Sequence, residues 1–222
     1  MQQIVPGVHA FTGLLMGRVY ALEDADGLTL IDAGLGLAAG KVLKQLQASG
    51  RQASAVKRIL ITHAHPDHVG GLAKLQTATG AQVVAHSLER PVIEGQAFIA
   101  RRTSGIRLPN TKMKPVPVQR EVEGGETLPD VLGGTQVIFT PGHAPGHIVF
   151  WQPDRRLLFC GDVMMRLPRL RLPFAAFTVD MDENKRSIKK IAELEAEVVC
   201  FGHGQPLMRD AAHQLRTFAA KF

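Results

Sequence analysis

The chain has 222 residues, 45% of them apolar, and a formal charge of +6. That length suits one large domain, residues 1–222, able to bury about 70% of the surface its unfolded chain exposes. No stretch approaches the ~18 unbroken apolar residues of a membrane span, the opening MQQIVPGVHAF lacks the regions of a secretion signal, and two cysteines, Cys160 and Cys200, suit buried thiols of a reducing cytosol better than a disulfide framework.

In chain order, short β segments are expected around Ile4–Phe11, Val19–Glu23 and Leu28–Ile31, with Asp26-Gly27 as a turn between the last two. Leu37–Ser49 has helical spacing and Gly50 stands at its C-cap position. A β run at Ile59–Ile61 leads into THAHPDH (62–68), and Val69–Thr79 reads as the helix that follows. Next come a strand at Gln82–Ala85 and a helix from Ser87 onward. A basic insertion follows at about 96–120, holding Arg101, Arg102, Arg107, Lys112, Lys114 and Arg120 and no acid, so this segment alone accounts for the net charge. Strands are expected at Thr135–Thr140, Ile148–Trp151 and Leu157–Phe159, a helix at Asp182–Glu195, a strand at Val198–Phe201 and a closing helix at Pro206–Phe222. Two β-rich halves, each carrying helices, suit a layered two-sheet architecture.

The chemistry-bearing residues stand just beyond the ends of apolar runs: Asp32 in LIDAG, the histidines and aspartate of HAHPDH, His143 and His147 in TPGHAPGH, Asp162 in CGD and His203 in FGHG. Loops at one end of a sheet are where a rigid scaffold holds convergent groups. His63 and His65 are two apart, so in an extended segment both point one way and can bind one ion. Pro66 then turns the chain and lets Asp67 and His68 face another. Imidazole and carboxylate ligands suit Zn²⁺, with Fe or Mn as alternatives, and three histidines with a carboxylate in six residues exceed the protein ligands of one open zinc site. Two divalent ions are therefore the economical reading. Asp32 and His147 are expected to orient ligands rather than bind metal, while His9, His86 and His213 read as ordinary structural histidines.

The ordered set LIDAG, HAHPDH, TPGHAPGH, CGD and FGHG resembles the five motifs of the metallo-β-lactamase superfamily, from about Val19 to His203. The resemblance implies an α/β fold, the four-layer αββα sandwich, with a dinuclear site along one edge. It implies that His63, His65 and His143 bind one metal and Asp67, His68 and His203 the other, with Asp162 bridging. Two ions about 3.5–4 Å apart can share a water, make hydroxide available near neutral pH and polarise a substrate oxygen. Asp67 is the candidate for passing a proton to the leaving group.

Departures narrow the chemistry. An Asp at position 162 resembles glyoxalase II, lactonases and phosphodiesterases, whereas antibiotic-degrading β-lactamases generally carry Cys or Ser there. Met165 stands where acyl-homoserine lactonases tend to have Tyr, and only about twenty residues follow His203, too few for the C-terminal helical domain of glyoxalase II. The expectation is a hydrolase of an ester, thioester or lactone, with a phosphodiesterase or nuclease of the same fold as the alternative. A nucleic-acid-binding protein with a vestigial site is disfavoured by the intact ligand set. Val163–Phe177 is apolar but broken by Pro168 and Pro173, and with interspersed arginines it suits a pocket wall or a homodimer contact. Met164, Met165, Arg166, Phe174 and Phe177 are the expected pocket residues. The expected partner is a small-molecule substrate with an apolar portion, attracted through any anionic group by the basic stretch.

Overall fold

Apolar side chains of the strands alternate between two destinations, as the period of an extended chain requires. In a computed structural model, which describes residues 1–100 and 114–222, strands β1 (Gln2–Val5), β2 (Val8–Ala10), β3 (Tyr20–Asp24), β4 (Gly27–Ile31), β5 (Val56–Leu60), β6 (Gln82–His86) and β7 (Arg120–Val122) form one sheet in that spatial order. Strands β8 (Thr127–Leu128), β9 (Thr135–Phe139), β10 (Ile148–Gln152), β11 (Leu157–Phe159) and β14 (Val198–Cys200) form a second, ordered β14-β11-β10-β9-β8, while β12 (Met165–Arg166) and β13 (Leu170–Arg171) make a small separate hairpin. Tyr20, Leu22, Ile31, Leu60 and Val84 of the first sheet meet Ile148, Phe150, Leu157 and Phe159 of the second. Their sequence neighbours Ala21, Leu30, Ile59 and Val83 face outward and are covered by helices α1 (Ala38–Ala48) and α3 (Leu72–Thr79). Val149, Leu158 and Val199 are covered by α5 (Met181–Ala192) and α6 (Ala211–Ala219). The layers are αββα, as the motifs implied.

The topology brings distant loops to one edge. Strands β4 and β5 are parallel, as are β11 and β14, and β10 runs antiparallel to β11. The ends of β4, β5, β11 and β14 and the start of β10 therefore project the same way, and the amide of Ile148 bonds the carbonyl of Thr62 at 3.0 Å between the sheets. The short helix α2 (Pro66–Val69) follows β5 at this edge. Its exit at Gly70-Gly71 lies so close to the loop after β4 that a Cβ on Gly71 would sit 2.3 Å from the Ala33 carbonyl oxygen.

Several elements differ from expectation. The first β segment is a hairpin, because Gly7 adopts a positive φ of 74° between β1 and β2. The helix expected at Val69–Thr79 begins at Leu72, with Val69 closing α2 instead. The closing helix begins at Ala211 rather than Pro206, because Leu207 exchanges backbone hydrogen bonds of 2.8 and 3.0 Å with Val199 at the sheet edge. The helix from Ser87 reduces to α4 (Arg90–Ile93). Of the basic stretch, Arg101, Arg102, Arg107 and Lys112 lie outside the described residues, while beyond them Val116 and Val118 are buried in the outer core and Arg120 opens β7. Cys160 and Cys200 are buried and unpaired. Among the described residues no helix is long and apolar enough to cross a membrane.

Phe150, fully buried between the sheets, is the position at which truncation tests this packing. Phe150→Ala is expected to cost about 3–5 kcal/mol, read as a lower denaturant midpoint of the metal-free protein. A loss below about 1 kcal/mol would contradict a close-packed interface between the sheets.

Candidate metal centre

His63, His68 and His143 at the sheet edge each have one ring nitrogen tied back to the scaffold. Asp32, in a left-handed conformation at φ 62° directly after β4, accepts from the Thr62 amide at 2.8 Å and from His68 Nδ1 at 2.7 Å. Asp is one of the few non-glycine residues that tolerate this backbone region. The Thr62 hydroxyl donates to Asp32 at 2.9 Å, so at His63 Nδ1, 3.0 Å away, it acts as acceptor. The Thr178 hydroxyl likewise donates to the Phe174 carbonyl and accepts from His143 Nδ1 at 3.2 Å. These bonds set the tautomers: His63, His68 and His143 each present an Nε2 lone pair when neutral.

The free atoms converge. Ligating atoms of His63, His65 and His143 lie within 4.8 Å of one another, as do those of His63, His68 and Asp162 and those of Asp67, His68 and His203. His143 Nε2 is 3.0 Å from His65 Nδ1, and His203 Nε2 is 3.0 Å from Asp67 Oδ2. The Asp162 carboxylate lies between these groups, with Oδ1 3.4 Å from His68 Nε2 and Oδ2 3.1 Å from His203 Nε2 and 3.7 Å from His143 Nε2. Gly202 permits this approach, since a Cβ there would fall 2.0 Å from Asp162 Oδ1.

Three of these atoms, His63 Nε2, His68 Nε2 and Asp162 Oδ1, are buried without a hydrogen-bond partner. Leaving one buried polar atom unpaired costs about 1–3 kcal/mol. Three facing one another suit divalent cations, and the nitrogen and oxygen donors without thiolate match zinc, iron or manganese. Electrostatics follow the same division. Burial, then the neighbouring His68, brings His65 down to about 4, and burial with nearby imidazoles pushes His63 and His143 well below the usual range. Burial also opposes charge on His68, but the carboxylates of Asp162, Asp32 and Asp67 outweigh it and raise that histidine. At His203 burial is again opposed, chiefly by hydrogen bonds to Asp162 and Asp67, which bring it up to about 9.

His147 stands behind this cluster. Its Nε2 accepts the Asp162 amide at 3.0 Å and its Nδ1 faces Thr140 Oγ1 at 2.9 Å, so both nitrogens are occupied. His86 stacks on Phe139 with ring centroids 4.7 Å apart, and His9 pairs with Glu23 at 2.9 Å. His213 is exposed on α6.

A cavity of about 300 Å³ opens over the centre, its wall including Leu35, Ile99, Met165, Phe174, Phe177 and Asp67. Met165, Phe174 and Phe177 of the Pro-broken segment line this cavity. Met164, also expected there, does not: it is fully buried in the core beneath α5 and α6, because successive residues of an extended segment point to opposite sides. Arg166 also turns away, donating from Nη1 to the Pro206 carbonyl at 2.8 Å and the Gln205 carbonyl at 3.3 Å. Thr62, Thr178 and Glu89 escaped the sequence reading. Glu89 is buried between the two histidine-bearing loops and accepts the Ala64 amide at 2.8 Å and the Gly146 amide at 2.7 Å. Only its unusual burial distinguishes it, and burial raises its carboxyl despite these two bonds.

The sequence profile described as the metallo-beta-lactamase superfamily matches residues 12–203. The chain belongs to this superfamily. A Bacillus subtilis (strain 168) protein named "Probable metallo-hydrolase YflN" is 30% identical over 226 residues, covering 90% of this chain and 85% of its own. A hydroxyacylglutathione hydrolase of Cereibacter sphaeroides (strain ATCC 17029 / ATH 2.4.9) is 34% identical over 193 residues, covering 83% of this chain, which spans 64% of that enzyme's length. A solved metallo-beta-lactamase family protein from Thermus thermophilus superposes with a TM-score of 0.75 at 24% identity, covering 99% of this chain and 80% of the other, and supports the fold. This superfamily member is a metal-dependent hydrolase.

Replacing Glu89 tests how the two loops are held. Glu89→Gln keeps the shape but turns an NH₂ toward one of the two amide donors, so a loss of about 1–3 kcal/mol is expected in denaturant unfolding of the metal-free protein, with weaker retention of metal. An unchanged midpoint would show that both amides find other acceptors.

Proposed function

We propose that the protein is a dinuclear metal hydrolase that cleaves an ester, thioester or lactone. The observation that carries this reading is the Asp162 carboxylate, placed with one oxygen toward His68 and the other toward His143 and His203. One ion would take His63, His65 and His143, the other Asp67, His68 and His203, with Asp162 shared. Zinc suits this donor set, and iron or manganese are the alternatives. When bound, two ions supply Lewis acidity and an acidified water.

The chain's own residues do the rest. Asp32, Thr62 and Thr178 hold the ring orientations, and His147 holds the Asp162 backbone. The apolar wall formed by Met165, Phe174 and Phe177 excludes water and receives an apolar part of the substrate. Asp67 also lines the cavity. Burial opposes its ionisation, but His68 and His203 bring it down to about 2, so it is a carboxylate at neutral pH that can take a proton from the attacking water and pass it to the departing group. In balance, water adds to the carbonyl, the acyl–oxygen or acyl–sulfur bond breaks, and an acid and an alcohol or thiol result. A lactone gives one hydroxy acid. The phosphodiesterase alternative draws support from the basic stretch, most of which lies outside the described residues, whereas the described cavity wall favours an acyl group. The relation to hydroxyacylglutathione hydrolases supports thioesters within this class, and the buried unpaired thiols fit a reducing cytoplasm.

Metal-reconstituted protein should hydrolyse members of a panel of carboxylic ester, thioester and lactone substrates in preference to bis-p-nitrophenyl phosphate. Chelation, His63→Ala and Asp162→Ala should each reduce turnover by about 10³-fold or more. Activity surviving all three would refute the metal mechanism. Loading should also release protons: His203, brought up to about 9, carries a proton at pH 7 yet must be neutral to ligate, and His68 is shifted in the same direction. Apparent metal affinity should therefore increase from pH 6 to 9. Calorimetry in buffers of different ionisation enthalpy reads the release directly, and proton uptake would contradict the assignment.

A further inference from the structure

A reacting carbonyl lies between two substituents, so a site that cleaves an open-chain ester needs space on two sides of the scissile bond. The cavity described above provides one side, walled mainly by apolar groups. A second groove of about 400 Å³ runs between the loop after β2 and the segment following β14. His203 lines both spaces, so the two openings meet at a residue assigned to the metal centre.

The second groove differs in chemistry. Leu15, Met16 and Leu167 form exposed apolar lips, and Arg18 lines its wall. The Arg18 amide bonds the Gly202 carbonyl at 2.9 Å, which anchors this residue beside the one preceding His203. Arg166 and Arg171, on the segment after Asp162, are engaged elsewhere: Arg166 binds two carbonyls, and Arg171 lies over the Phe174 ring at 5.1 Å from its centroid. Among the described residues no carboxylate pairs with Arg18, which is half-buried. Its charge also reaches the buried Tyr20 and Cys200, and a half-buried guanidinium reaching this groove would present a planar fork of donors suited to a carboxylate or phosphate.

We propose that this groove is the leaving-group subsite, and that Arg18 selects open-chain esters or thioesters whose departing alcohol or thiol carries a carboxylate or phosphate. The inference rests on the ester and thioester reading of the metal centre. The substrate then lies across His203, acyl group against Phe174 and Phe177, anionic end toward Arg18. Arg18 is a binding residue and takes no part in bond cleavage.

The test compares octanoyl thioesters of 3-mercaptopropionate, 2-mercaptoethyl phosphate and neutral 2-mercaptoethanol with metal-loaded protein. The carboxylate and phosphate arms separate the two anion sources. At low salt at least one anionic thioester should exceed the neutral one by about tenfold in kcat/KM, mostly through KM. Arg18→Gln should bring that ratio toward one, and added salt should reduce it in the wild type. The matching thioethers, S-octyl-3-mercaptopropionate, S-octyl-2-mercaptoethyl phosphate and 2-(octylthio)ethanol, have no carbonyl to cleave, so calorimetry reads the same preference without turnover. Absence of thioester hydrolysis with intact thioether preference would count against the catalytic reading alone. Equal binding of all three thioethers, or a preference unchanged by Arg18→Gln, would overturn the subsite.

Discussion

The Asp32 carboxylate is the constraint on which the rest of the site depends. It accepts the Thr62 amide, the Thr62 hydroxyl and His68 Nδ1, and through the Thr62 hydroxyl it also orients His63. One buried acid thus aligns a histidine from each of two candidate ligand groups. A buried carboxylate without such donors would be strongly disfavoured, so the loop after β4 and the loop after β5 must close on one another for either to be stable. The close passage of Gly71 against the Ala33 carbonyl is the steric side of the same closure.

A second pair of contacts fixes this edge, one between the sheets and one within the second sheet. Glu89 binds the amides of Ala64 and Gly146, and His147 binds the amide of Asp162. Neither residue presents a free atom to the metal centre, yet both decide where ligating residues stand. Outer contacts of this kind orient ligands in advance of binding, which limits the reorganisation that binding requires. Two strained or close-packed positions, Asp32 at positive φ and Gly202 against Asp162, stand beside the converging atoms. Stability is spent there on geometry.

The chemistry of the centre and the selection of what enters it belong to different parts of the chain. The candidate ligands come from α2 and from loops directly after β5, β9, β11 and β14, so their positions follow from the packing of the two sheets. The cavity wall comes from the Pro-broken segment after Asp162 and from loops such as the one that contributes Leu35. Loops of this kind change without disturbing the sheets, which explains how one scaffold supports several hydrolytic specificities.

Much of this was legible in the sequence for a physical reason. Strands buried on both faces read as short continuous apolar runs, and ionisable residues directly after such runs have few uses except at a functional edge. A two-sheet layering was legible in the local pattern, while the αββα order and the convergence of HAHPDH, TPGHAPGH, CGD and FGHG were what the resemblance of the ordered motifs implied. Hydrogen-bond partners distant in sequence were not legible, because nothing local distinguishes Glu89 from any helix-entry acid or Thr178 from a loop threonine. The facing of Met164 and Met165 depended on the direction of an irregular segment, and the start of the closing helix on a bridge from Leu207 to Val199. Residue type and its place after an apolar run determined which groups could bind metal. Only the packing of two sheets determined which nitrogen each histidine offers, because that is set by partners from loops up to 36 residues away, as between His68 and Asp32.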